Sequence, residues 1–384
     1  MIAKIYPANH PDIVGLKKPC RYFGIRKLTE GECLKLMDVS DDDIATMVDS
    51  PRLSKSAIYK LAGNSIVVSC LYHIFHDVWL TEEKPQPMML FPEPTFRCEM
   101  PKKFNIVTLC SGYDSQVMAM ERLAYEAKRE GYDADIDLLA WSEFDPDSKK
   151  PIEEQPAVIA HNLLFPQWEG RNVGDMTKVD WDEWRKGIPA ETDIDLLTYS
   201  TPCQSISQAG KREGIVKGSG TTSSILWNTE DAIRVLRPKF LLQENVKALC
   251  NKVNMPYFIE WQKVCENLGY KNYWKVLNAK DYGVPQNRER VFMLSVRKDL
   301  DMPDFTFPEG YPLDKSVAEL LYDEVDDSYF LRGDTVIKFL QENEEINDAD
   351  IIYVDTDHFL SMEEIAAIRM KHKHEEVYHT QGTD

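Results

Sequence analysis

Between Phe104 and Val296, short apolar runs alternate with helix-like segments; the runs are FNIVTLC, DIDLLAWSE, DIDLLTYS, KFLLQENV, YWKVLNA and RVFMLSV. Strands joined by helical crossovers pair in parallel, and a parallel sheet covered on both faces is built from nearly continuous apolar runs of this kind. The intervening SQVMAMERLAYEAKREG and LWNTEDAIRVLRP carry apolar residues at helical spacing, and Gly131 ends the first where a helix C-cap belongs. The pattern predicts a doubly wound, mostly parallel α/β sheet. Ligands of such sheets bind beyond the carboxyl ends of the strands, so the residues just after each run become the candidates.

The flanks read differently. Residues 80–103 hold five prolines without a period and predict a linker, which makes the preceding block separate. Beyond Pro303 the chain turns acidic, with helices expected near 335–345 and 361–371. A chain of 384 residues, 43% apolar, suffices for one large domain and a smaller module. No run approaches the roughly 20 apolar residues of a membrane span, and no signal-peptide pattern opens the chain, which predicts a cytoplasmic protein. The eight cysteines show no two-residue spacing of the zinc or redox kind and are expected as reduced thiols. His73 with His76, and His372 with His374, lack a third ligand, so no metal is expected.

A net charge of −19 argues against nonspecific nucleic-acid binding, which rests on phosphate neutralisation by Lys and Arg. The charge is unevenly spread: residues 1–198 carry −10, residues 199–300 carry +7 and residues 301–384 carry −16. The basic block also holds the strongest chemical candidates. Cys203 leaves a strand end into a loop with Gly210, Gly214, Gly218 and Gly220, where Lys211, Arg212 and Lys217 favour thiolate and can hold phosphates. Taken alone it reads better as a buried structural cysteine in a glycine-rich turn. Glu244 and Asn245 follow one apolar run; Gln286, Arg288 and Arg290 precede another. Singly these are a helix cap and a charge run. A thiolate can add to C6 of a pyrimidine only if N3 and O2 of the ring are engaged, which an acid and an Arg donor would do.

In this order and spacing PCQ, ENV and QxRxR resemble the motifs of DNA cytosine-5 methyltransferases. The resemblance implies Cys203 as nucleophile, Glu244 at N3 and the exocyclic amine, and Arg290 at the base oxygen with Arg288 in support. It places Gln204, Ser205 and Ser207, with Lys211, Arg212 and Gln286, against a target nucleotide flipped from double-stranded DNA, at a cost of about a few kcal/mol. It also implies S-adenosylmethionine as cofactor. Cys110, Ser111, Gly112 and Tyr113 then form the first cofactor loop, although Cys110 and Asp114 stand where the family has an aromatic residue and a second glycine. Glu143 is placed to accept the ribose hydroxyls, Phe144 to stack on adenine, Asp175 and Met176 to meet the adenine edge, and Pro202 and Leu226 to complete the pocket. For Glu143 and Asp175 the plainer reading is solvated strand-end acids.

RKLTEGECLKLM and YKLAGNSIVVSCLYHIF resemble the family's last two motifs, yet they precede the first one, so the chain reads as circularly permuted. Asn64 and Ser65 would return to the cofactor pocket. The implied organisation is 1–22 as part of the target-recognition region, 23–79 as the permuted motifs, 80–103 as linker, 104–298 as the catalytic domain and 299–384 as the acidic remainder of the recognition region. That acidity suits a phosphate backbone poorly, which raises a second subunit completing recognition. A methyltransferase acting on RNA and a non-catalytic DNA-binding or assembly protein are the competing readings.

Overall fold

The computed structural model describes residues 2–6, 22–80, 96, 98–200 and 222–330. The expected helices near 335–345 and 361–371, most of the linker, and Pro202, Cys203, Gln204, Ser205, Ser207, Lys211 and Arg212 lie outside the described residues. The chain forms two compact units, one of Leu34–Glu319 and one of Met1–Cys33 with the segment from Leu320 onward.

In the smaller unit β1 (Ile2–Tyr6) pairs antiparallel with β2 (Tyr22–Arg26). The helix that follows, α1 (Glu30–Lys35), opens with a capping box: Glu32 N–H donates to Thr29 Oγ1 at 3.1 Å, and Thr29 N–H donates back to Glu32 Oε2 at 2.8 Å. Glu32 also takes a two-pronged, buried ion pair from Arg26, both distances 2.7 Å. The RKLTEGE string thus has a structural job of its own.

The larger unit begins with α2 (Asp41–Val48) and α3 (Lys55–Asn64), each capped by a serine, Ser40 and Ser54. Next comes α4 (Val68–Trp79), buried along most of its length. A sheet follows, built from β3 (Lys103–Leu109), β4 (Asp135–Ser142), β5 (Leu196–Tyr199), β6 (Phe240–Val246), β7 (Tyr270–Asn278) and β8 (Glu289–Arg297) in the order β4-β3-β5-β6-β8-β7. All four residues of β5 and the first six of β6 are buried, as a sheet covered on both faces requires.

Between the strands run α5 (Ser115–Arg129), α6 (Pro156–Leu164), α7 (Trp181–Lys186), α8 (Thr229–Leu236) and α9 (Met255–Asn267). Gly131 ends α5 as expected: its N–H reaches Lys128 O and that of Tyr132 reaches Ala127 O, a Schellman closure with φ +91° at the glycine. Helices α8 and α9 share a core with Val107, Leu197, Leu241 and Met293 on one face of the sheet. On the other face Trp79 of α4 meets Phe104 and Phe240 edge-on, at 5.0 and 5.3 Å between ring centroids. The N-terminal helices therefore belong to the same packed body as the sheet.

The sheet is mostly parallel, as expected, and reverses at its far end. Pairs β3·β4, β3·β5 and β5·β6 are parallel, whereas β8 runs antiparallel to both β6 and β7. The link from Asn278 to Glu289 carries one short 3-10 turn and no crossover helix, so β7 and β8 pair as neighbours joined end to end. This reversal brings the beginning of β8 to the end of the sheet where β3 to β6 finish, with Arg290 opposite Val246.

Candidate active site

Strands β3 and β4 end on the first candidate loop. Cys110, Gly112 and Asp114 all have positive φ, at 53°, 61° and 71°. Glycine is needed at 112 for this backbone rather than for space, since nothing lies within 4 Å of a Cβ built there. Asp114 holds the left-handed conformation because its carboxylate is fixed: it caps Val117 N–H, accepts from Thr108 Oγ1 at 2.6 Å and lies 3.5 Å from buried His161 Nε2. The residue that departs from the family pattern is thus the anchor of this loop.

The loop reaches across to β4 through Gly112 N–H, which donates to Glu143 Oε2 at 2.7 Å. Burial pushes the Glu143 carboxyl up to about 7, with Asp145 and Asp114 adding to the rise and the Gly112 bond opposing it. Phe144 and Asp175 line one cleft of about 440 Å³ with Gly174, Lys178 and Trp184. Burial would raise the Asp175 carboxyl, but Thr177 and Lys178 hold it below its usual value. Met176 and Leu226 are buried in one core cluster, and Cys110 packs against it with its sulfur 3.6 Å from that of Met176. Met176 and Leu226 are buried, whereas Cys110 is half-buried.

Sequence reasoning missed Asn172. Its Oδ1 accepts from Glu143 N–H at 3.1 Å and Gly174 N–H at 2.9 Å, while its Nδ2 donates to Glu143 O at 3.2 Å. One amide therefore ties the end of β4 to the loop carrying Asp175. The sequence holds only a faint signal of it, an amide two residues before a glycine.

Ser65 lies against Tyr113 of the first loop. Its hydroxyl donates to the Tyr113 phenol oxygen at 2.6 Å and lies 2.7 Å from Ser115 Oγ, whereas Asn64 is exposed at the end of α3. Ser111 is buried beside them in sequence, its N–H bonded to Ser142 O at 3.1 Å.

The second candidate group stands at the ends of β6 and β8. Glu244 faces Phe292, and Arg290 faces Val246, so the two side chains are diagonal neighbours on adjacent strands. Arg290 Nε lies 3.3 Å from Glu244 Oε1, with little of either side chain exposed. Burial raises the Glu244 carboxyl, and Arg290 and Arg288 pull it partly back. Arg288 points elsewhere, donating from one terminal nitrogen to Gly63 O at 2.8 Å and Ser65 O at 2.7 Å. Gln286 is half-buried just before it, and among the described residues its Oε1 has no hydrogen-bond partner. Strand β5 finishes between the two groups at Tyr199, and the hydroxyl of the next residue, Ser200, accepts from Gln116 of α5 at 3.4 Å. The next residues lead to Cys203.

The family described as C-5 cytosine-specific DNA methylase matches residues 152–383. Among curated relatives, the type II methyltransferase M2.ScrFI of Lactococcus lactis subsp. cremoris is 43% identical over 166 residues, covering 43% of this chain and 44% of the relative. The orphan methyltransferase M.SssI of Spiroplasma monobiae is 34% identical over 225 residues, 56% of this chain and 55% of the relative. The chain spans about half the length of these relatives. Among solved structures, the Entamoeba histolytica methyltransferase EhMeth is 17% identical with a TM-score of 0.44, over 63% of this chain and 67% of that one. With more than half of its length matched, from α6's approach through the ends of β5, β6 and β8, the chain belongs to the C-5 cytosine-specific DNA methylase family.

Proposed function

We propose that this protein methylates C5 of cytosine in double-stranded DNA, taking the methyl group from S-adenosylmethionine. The observation that carries the reading is the Glu244–Arg290 pair, set 3.3 Å apart at the end of the sheet where β5, the strand that precedes Cys203 in the chain, also finishes.

The residues at the ends of β3 and β4 suit this cofactor. Glu143 offers a carboxylate to a diol, Phe144 an apolar face to a purine, and the cleft with Asp175 is of a size ligands use, about 300–1,000 Å³. When bound, S-adenosylmethionine supplies an electrophilic methyl group on a sulfonium centre. The chain's own residues do the rest. Cys203, as thiolate, forms a bond to C6 of the flipped base and thereby makes C5 nucleophilic. Glu244, its carboxyl raised by burial, holds a proton at N3 and accepts from the exocyclic amine. Arg290 neutralises the charge that develops on O2. After transfer the C5 proton leaves to a base, the C5–C6 double bond re-forms and Cys203 departs as thiolate. Gln204, Ser205, Ser207, Lys211, Arg212 and Gln286 are assigned to the target strand.

The same reading makes the chain a circular permutation, with its first helices serving as the family's last motifs. Support comes from Ser65, which meets Tyr113 of the first loop and Ser115 at the start of α5. The acidic residues 299–384 with 1–22 are assigned to target recognition, completed by a second subunit if the chain alone does not select a sequence. The test is transfer of labelled methyl groups to mixed-sequence duplex DNA, followed by sequencing at base resolution. Transfer by wild type and none by Cys203→Ser is expected; label in RNA alone, or none in wild type that binds the cofactor, overturns the reading.

A further inference from the structure

Arg288 and Arg290 sit two residues apart where β8 begins, and extended backbone would send both side chains toward one face. Their partners nevertheless differ. Arg290 meets Glu244, while Arg288 donates to the carbonyls of Gly63 and Ser65 at 2.8 and 2.7 Å. Those carbonyls close α3, whose last turn contains no basic residue of its own. The guanidinium of Arg288 therefore caps a helix C-terminus, where orphan carbonyls and the negative end of the helix dipole attract a cation.

The cap is continuous with the cofactor side. Ser65, held through its carbonyl by Arg288, presents its hydroxyl to Tyr113 at 2.6 Å and to Ser115 at 2.7 Å. Tyr113 is 2% exposed and belongs to the strained loop whose Gly112 N–H is bonded to Glu143. A phenol and two serine hydroxyls sealed from water have few alternative partners, so displacing Ser65 leaves buried polar groups unsatisfied.

We infer that Arg288 is a positioning residue for the cofactor loop, acting through the end of α3 and the Ser65–Tyr113 contact, and that it couples cofactor binding to Arg290 at the base site. The inference rests on the proposed reading of the Gly112–Glu143 region as the S-adenosylmethionine site. Linkage makes the coupling reciprocal: a ligand that fixes the cofactor loop also fixes Arg288 and, two residues on, Arg290.

The experiment is calorimetric titration of the full chain with S-adenosylmethionine, without DNA, for wild type, Arg288→Lys, Tyr113→Phe and the double variant. Lysine keeps the charge but replaces the planar guanidinium, one of whose terminal nitrogens donates to both carbonyls, with a compact ammonium on a more flexible stem. Arg288→Lys is expected to raise the Kd about tenfold, Tyr113→Phe about fivefold, and the double variant no more than the stronger single, as members of one path behave. The thermal midpoint without cofactor and the binding stoichiometry are read alongside. A purely structural role lowers these and leaves the Kd of the folded fraction unchanged, which overturns the inference. So does a Kd for both single variants within twofold of wild type. If wild type itself does not bind S-adenosylmethionine, the proposed function fails first and the coupling falls with it.

Discussion

The two sides of the candidate site, one proposed to hold the cofactor and the other the target base, are built by opposite means. On the cofactor side, backbone and side-chain hydrogen bonds lock each part to the next: Asp114 to Thr108, Gly112 to Glu143, Asn172 to Glu143 and Gly174. On the base side, one buried carboxyl and one guanidinium from adjacent strands face each other at 3.3 Å. A ligand held by many partners calls for a preformed cradle. A base that must be activated calls for a few groups whose charge and proton occupancy are set by burial and by each other. The contrast predicts that damage on one side reads out as rate and on the other as affinity.

The largest effect should come from the base side. Glu244→Gln, nearly isosteric, removes the proton-holding group opposite Arg290, and methyl transfer at saturating cofactor is expected to fall by about 10²–10⁴-fold with cofactor affinity changed far less. Single-turnover transfer measures it; equal losses in rate and affinity would erase the distinction between the sides. Next is Asn172→Ala, which removes two bonds to the Glu143 backbone at the end of β4 and a third, from Gly174 N–H, within the Asp175 loop. Cofactor Kd should rise about tenfold, or ~1.4 kcal/mol, because the loops relax around part of the loss. Isothermal titration decides.

A pH experiment sharpens the cofactor side. Burial raises Glu143 from 4.5 to about 7, so the folded protein holds this proton more tightly than the unfolded chain does. Its contribution to stability is therefore complete below about pH 4.5 and is lost as pH rises through about 7. The cofactor-free melting temperature of wild type should fall across that window relative to Glu143→Gln. Affinity for S-adenosylmethionine should run the other way and rise with pH, since a carboxylate accepts ribose hydroxyls better than a carboxylic acid. Smallest is Lys247→Ala. The Lys247–Glu289 pair beside the base site is short, 2.7 Å, but 57% and 40% exposed, so its removal should change stability by less than about 0.5 kcal/mol in chemical denaturation.

Much of the architecture was legible in local pattern. The six apolar runs became the six strands of one sheet, and the SQVMAMERLAYEAKREG periodicity became α5 with its glycine closure, because strand and helix periods and caps are properties of neighbouring residues. Glu143, Glu244 and Arg290 could be singled out for the same reason, since each lies at the end of a run. Asn172 escaped notice because nothing about an Asn in a loop announces which distant N–H groups will meet it.

What the sequence determined by itself is the set of strands and helices, their order, and the motif spacing that resembles the methylase family. The tertiary structure alone decided that β8 would turn antiparallel and carry Arg290 to the end where β6 finishes. It alone bonded Arg288 to carbonyls 225 and 223 residues away, and placed Asp114, rather than a glycine, in the left-handed corner of the first loop. Each of these depends on hydrogen-bond partners that become neighbours only when the sheet is assembled. A one-dimensional pattern encodes the period of an element but not the identity of the group waiting across from it.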